Sequence, residues 1–160
     1  MRCPGFALLA YDDTKRTVTL IRKSHVNNKA AKKTHGQILS EIAKELRSYL
    51  QEYPDALLIR EKALAMVSLA AKTIQILHKV IGVTDLYAWA CGQREFIELA
   101  PSTIKSVVAG DKDATKDAVA AGVEPYVGPQ AYVTDDESDA VAVGIAWLIK
   151  EKKIEKQGAE

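Results

Sequence analysis

The run Asp135-Asp136-Glu137-Ser138-Asp139-Ala140-Val141-Ala142-Val143-Gly144-Ile145-Ala146-Trp147-Leu148 passes abruptly from acids to an unbroken apolar stretch. No polar side chain occurs between Ala140 and Ile149, so the pattern predicts a helix buried on every side whose acidic first turn emerges at the edge of the core. Asp136 and Asp139 are three residues apart and, at about 100° per residue, share one face. A single Asp here would be explained as an N-cap, with further acids favoured by the helix dipole. Four of the five residues from Asp135 to Asp139 are acidic, more than capping uses. Two carboxylates held on one face are what a hard divalent cation requires.

Upstream of that helix, Pro101-Ser102-Thr103 is a helix-start signal, and the helix it opens, Pro101 to Ala109, carries Lys105. After Gly110-Asp111-Lys112-Asp113 a further helix is expected from Ala114 to about Val123, with Lys116 near its start. Two helix N-termini and three lysines around one glycine turn make a surface suited to phosphate. A solvated charged loop is the plainer alternative. Gly128 and Pro129 mark the loop before the acidic helix.

Nearer the start, Gly5 to Tyr11 and Thr17 to Lys23 are β-type runs separated by Asp12-Asp13-Thr14-Lys15-Arg16, the composition of a hairpin turn. Turn chemistry explains Asp12 and Asp13 more cheaply than catalysis does. The polar, basic segment from Ser24 to Gly36, with Lys29, Lys32 and Lys33, reads as a solvated connection. Ile38, Leu39, Ile42, Ala43, Leu46, Tyr49, Leu50 and Tyr53 recur at helical spacing until Pro54 stops the pattern. Ala56 to Ile59 is wholly apolar, the mark of a strand buried on both faces in a parallel position. Glu61 lies just past its carboxyl end, where open α/β sheets place their ligands. An exposed acid between two basic neighbours is the competing reading. Leu64 to Ile81 reads as a helix apolar on more than one face, able to pack on a sheet and on a partner subunit, with Gly82 a possible kink and helix continuing from Val83 to Ala90. Met66, Tyr87 and Trp89 read as core or dimer interface, and Glu95 to Leu99 alternates as a strand.

Composition bounds the partners. The 160 residues are 48% hydrophobic and 27% charged, as expected of one well-buried domain. Lys and Arg number 22 against 21 Asp and Glu, a net charge of +1, so any nucleic-acid surface has to be a local basic patch. Cys3 and Cys91 show neither zinc nor disulfide spacing, which fits a reducing, cytoplasmic setting. Neither a signal peptide nor a membrane-spanning run is recognisable, and no membrane partner is expected.

In this order the motifs resemble the RuvC-type Holliday junction resolvases of the ribonuclease H-like superfamily, in particular the compact versions carried by phages. Asp136-x-x-Asp139-Ala140-x-Ala142-Val143 is similar to the family's closing D-x-x-D-A-x-A helix. Ile104-Lys105, Gly110, Ala114 and Lys116 are similar to its V-K-x-x-x-x-G-x-G-x-A-x-K, and Glu61 to its acid after the apolar strand. The resemblance implies an α/β ribonuclease H-like mixed sheet flanked by helices in a single domain over residues 1–152, with 153–160 a charged tail; by its composition the segment from Glu151 to Glu160 is expected to fray. The resemblance further implies a homodimeric, Mg²⁺- or Mn²⁺-dependent endodeoxyribonuclease acting on branched, four-way DNA. Glu61, Asp136 and Asp139 become metal ligands and catalytic acids, and Lys105, Lys112 and Lys116 become DNA-phosphate contacts. In the family a first catalytic Asp lies on a strand ahead of the hairpin, in a D-x-S-x-x-x-x-G-x-A pattern. Here Met1 to Ala7 falls inside that loop, so the strand and its Asp are expected to be missing and the 160-residue form to be nearly inactive, with Asp12, Asp13 or Asp135 as possible substitutes. Leu64 replaces a frequent aromatic residue, and Lys112 the second glycine. The same residues leave two rivals open: a structure-selective DNA-binding remnant that does not cut, and a nuclease of this fold acting on flaps or RNA–DNA hybrids.

Overall fold

In the computed structural model, which describes residues 4–27, 33–63, 71–92 and 95–157, the two β-type runs form strands β1 (Gly5–Asp12) and β2 (Thr17–His25), paired antiparallel. Leu8 pairs with Arg22 and Leu9 with Leu20, so Ile21 is skipped as a bulge and stands 46% exposed. Asp12 Oδ1 accepts from the Thr14 and Lys15 N–H groups at 3.0 and 2.9 Å, which makes it a turn former. Ala7, Leu9, Tyr11, Val18 and Leu20, every second residue on each strand, turn one face of the hairpin to the core.

Helix α1 (His35–Glu52) opens on a capping box in which Thr34 Oγ1 accepts from the Gln37 N–H and Gln37 Oε1 accepts from the Thr34 N–H. It buries Ile38, Ile42, Ala43, Leu46, Tyr49 and Leu50 and packs against α2 (Ala71–Ala90). Strand β3 (Ile59–Glu61) begins three residues later than the apolar run Ala56 to Ile59 predicts and shares only Ile59 with it, and Leu57 in that run is 63% exposed. It pairs with β4 (Ile97–Leu99). The Ile97 N–H donates to Leu58 O and the Lys62 N–H to Leu99 O, so the partners advance together and the pair is parallel. Residues 64–70, with Leu64 and Met66, lie outside the described residues, as do Lys29 and Lys32. Gly82 is inside α2.

Three helices follow: α3 (Pro101–Ala109), α4 (Lys116–Val127) and α5 (Asp135–Lys150). Helix α4 starts at Lys116 rather than Ala114 because Thr115 takes the N-cap, its hydroxyl accepting from the Ala118 N–H. Helix α5 is the axis of the core: Val141, Ala142, Ile145 and Ala146 are fully buried, and α5 packs on β1, β2, β3, α3 and α4. Gly144 lets Leu9 of β1 approach its backbone. The expected mixed sheet is present as two two-stranded sheets, β1-β2 and β3-β4.

The tail does not fray over residues 151–157. Ile154 is 5% exposed and joins the core, while the Lys152 and Lys153 carbonyls accept from the Arg16 guanidinium at 2.7 and 2.9 Å and Tyr11 Oη donates to Lys153 O at 2.9 Å. The chain divides into two compact units: Val26–Leu58 with Ala63–Ile97, and Gly5–His25 with Ile59–Lys62 and everything from Glu98 onward. The strands and helices against which α5 packs all belong to the second.

Candidate active site at the start of helix α5

Thr134 is the N-cap of α5 by backbone geometry, yet its hydroxyl is buried and without a hydrogen-bond partner. The first turn is held by other means. Gly5 of β1 lies so close that a β-carbon there would overlap the Asp136 carbonyl oxygen, which ties the edge of the hairpin to the acidic turn. The Ser138 hydroxyl donates to Asp135 O at 2.9 Å.

The candidate acids divide by environment. Asp136 and Asp139 are half-buried on their shared face, as the spacing predicts, and Asp135 is exposed. Lys116, the first residue of α4, donates to Asp135 Oδ2 at 2.9 Å and stands 4.0 Å from Asp139 Oδ2. The hydrogen bond to Asp135, with the charges of Asp139, Asp135 and Asp136, outweighs desolvation and holds the ammonium above the usual lysine range. Lys112 pairs at 2.5 Å with Asp113, which likewise raises its pKa, and Lys105 is half-buried on α3.

Glu61 ends β3, exposed. Among the described residues no three His, Cys, Asp or Glu side chains form a group able to hold a metal ion. Asp136 and Asp139 alone still fit a hard divalent cation in donor type, being carboxylates on one face at a partly open helix start.

One buried acid of the turn carries no role in the sequence reading. Glu137 is 3% exposed, the most buried acid of the turn. Its Oε1 is 2.8 Å from His25 Nδ1, and its Oε2 accepts from Lys23 Nζ at 3.2 Å and from the Val133 N–H at 3.0 Å. Burial pushes the carboxyl up, but the bonds from His25, Val133 and Lys23, with the Lys23 charge, hold it below the ordinary carboxylate range. Lys23 also donates to Ala131 O and lies 5.0 Å over the Tyr132 ring. A signal for this existed: one helical turn before Val141, on the stripe shared with Ile145, stands Glu137, so the buried stripe predicts an acid facing inward.

Comparison with known proteins identifies the family and the fold. A family model described as crossover junction endodeoxyribonuclease RuvC matches residues 1–147. A crossover junction endodeoxyribonuclease RuvC from Brachyspira hyodysenteriae is 30% identical over 146 residues, covering 89% of this chain and 88% of the relative. The structure of Thermus thermophilus RuvC superposes with a TM-score of 0.74 at 16% identity, over 93% of this chain and 90% of that one. The same protein in complex with Holliday junction substrate gives 0.77 at 16% identity, over 92% and 87%. The fold is therefore the ribonuclease H-like α/β fold of RuvC. On the family match and the curated relative together, the chain belongs to the RuvC family of crossover junction endodeoxyribonucleases.

Proposed function

We propose that the chain is a divalent-metal-dependent endonuclease that resolves four-way DNA junctions. The observation that carries the reading is the pair Asp136 and Asp139, half-buried on one face at the mouth of a helix buried along its length, with the Lys116 ammonium beside them. The family and the relatives' names support the substrate class. Asp136 and Asp139 would hold Mg²⁺ or Mn²⁺, with Glu61 the candidate third ligand from β3. Such a cation supplies a more acidic water and neutralises charge on the phosphodiester. Lys116 keeps Asp135 neutralised, and with Lys105 and Lys112 it offers cations to the DNA backbone.

The test is cleavage of a synthetic four-way junction with Mg²⁺, set against linear duplex, a flap and an RNA–DNA hybrid of the same sequence. Asp139→Asn should abolish cutting and leave junction binding within about twofold, since a neutral isostere removes one ligand and little surface. Preference for the flap or the hybrid would reassign the substrate. The missing three-acid group among the described residues favours, as a second reading, a protein that binds junctions without cutting them. Wild-type binding with no metal-dependent cleavage would select it.

The active form is proposed to be a homodimer. Leu86 and Trp89 stand 63% and 65% exposed on α2, large apolar groups that a soluble monomer seldom leaves together. Trp89→Glu should shift the sedimenting species from dimer to monomer.

A further inference from the structure

We propose that Glu137 is a positioning residue for the reaction: a buried carboxylate that fixes the rotation of the first turn of α5, and so the aim of Asp136 and Asp139, through Lys23 and His25 of β2. This rests on the assignment of Asp136 and Asp139 as metal-holding acids. The geometry is that of a three-way tie. Glu137 Oε1 meets His25 Nδ1 at 2.8 Å, and Oε2 takes both Lys23 Nζ at 3.2 Å and the Val133 N–H at 3.0 Å. One side chain, 4% exposed, therefore joins the end of β2, the loop before α5 and α5 itself. A glutamate at the third helical position reaching back to a backbone N–H is ordinary capping chemistry. Ordinary capping needs neither burial nor two side-chain partners from another strand, and Glu137 has all three.

The placement of the tie makes it consequential. Glu137 stands between Asp136 and Asp139 in sequence and faces inward while they share a partly open face. Rotation of the turn about the helix axis moves both aspartates together, and at Thr134 only the backbone carbonyl, which accepts from the Glu137 N–H at 3.1 Å, resists it, since the hydroxyl makes no cap bond. Lys23 is itself anchored, by the Ala131 carbonyl and the Tyr132 ring, so the tie has a fixed far end. Groups that orient metal-holding side chains typically change metal affinity by about 10–100-fold when removed.

The experiment measures Mn²⁺ binding to the full chain directly, by the loss of the free-ion electron paramagnetic resonance signal, alongside thermal unfolding and junction affinity. Glu137→Ala should weaken Mn²⁺ binding about tenfold with junction affinity unchanged, and Glu137→Gln, which keeps the Val133 and Lys23 acceptor, should recover most of the loss. Val123→Ala, at a fully buried position in α4 away from the tie, provides a destabilised control, its loss read from the same thermal unfolding, and should bind Mn²⁺ as the wild type does. His25→Gln and Lys23→Gln, milder changes, should each weaken Mn²⁺ binding severalfold should Glu137→Ala fail to fold. Unchanged Mn²⁺ affinity in the Glu137, His25 and Lys23 variants, with Asp139→Asn losing it, overturns the positioning role alone. Equal weakening by Val123→Ala does the same. Undiminished Mn²⁺ binding by Asp139→Asn overturns the metal assignment and this proposal with it.

Discussion

Glu137 and Gly5 show how two single residues constrain one turn. The Glu137 carboxyl is held below its ordinary range, so the folded state binds that proton less tightly than the unfolded chain. Its contribution is then present above the unfolded carboxylate value, about 4.3, and is lost as pH falls through the lower folded value. Chemical denaturation at pH 6 and at pH 3.5 should show Glu137→Gln losing less stability on acidification than the wild type; parallel losses would mean that the charge contributes nothing. Gly5 acts through space alone. A β-carbon there would meet the Asp136 backbone, which no side-chain rotation can relieve, so Gly5→Ala should cost about 1–3 kcal/mol in stability, the usual range for overpacking. In the sequence Gly5 is legible only as the first residue of a strand, because nothing local records that α5 lies against it.

At the scale of elements, the segment after α5 behaves as part of the core. Ile154 is buried, and Tyr11 and Arg16 of the hairpin close over the carbonyls of Lys152 and Lys153. Ile154→Ala should therefore destabilise by about 2–4 kcal/mol, measured by thermal or urea unfolding, where a fraying tail would show no change. One apolar residue among charged and polar neighbours leaves no periodicity to detect, and its partners come from the opposite end of the chain. The hairpin, α1, α3 and α5 are legible for the opposite reason: alternation or a helical period repeats within each of them, and Pro54 and Pro101 mark boundaries. Strand β3 begins three residues later than the apolar run, because Leu57 in that run is exposed and backbone pairing with β4 sets the strand's limits. The pair Asp136 and Asp139 is legible from spacing, whereas where Glu61 stands relative to it depends on how the strands pair, which spacing does not encode.

For the molecule as a whole, a net charge of +1 leaves DNA binding to local charge, and the lysines near α5 already have carboxylate neighbours. Lys112 pairs with Asp113 where both are largely exposed, an ion pair of small worth that a phosphate can replace. Lys116 is bound more firmly, since Asp135 and Asp139 both address it. Replacing Lys105, Lys112 and Lys116 together by Ala should lower the salt slope of junction binding by about two to three, near 0.9 for each phosphate no longer neutralised. An unchanged slope would move the DNA to another surface, such as the basic segment around Lys33. Asp135 gives the sharper test, because it opposes the DNA twice, by occupying the Lys116 ammonium and by repelling phosphate. Asp135→Asn should tighten junction binding severalfold at low salt and steepen the slope by about one, as one more lysine becomes available to phosphate. It should leave Mn²⁺ affinity unchanged if Asp135 serves only to hold Lys116. A fall in Mn²⁺ affinity would instead make Asp135 a metal ligand beside Asp136 and Asp139.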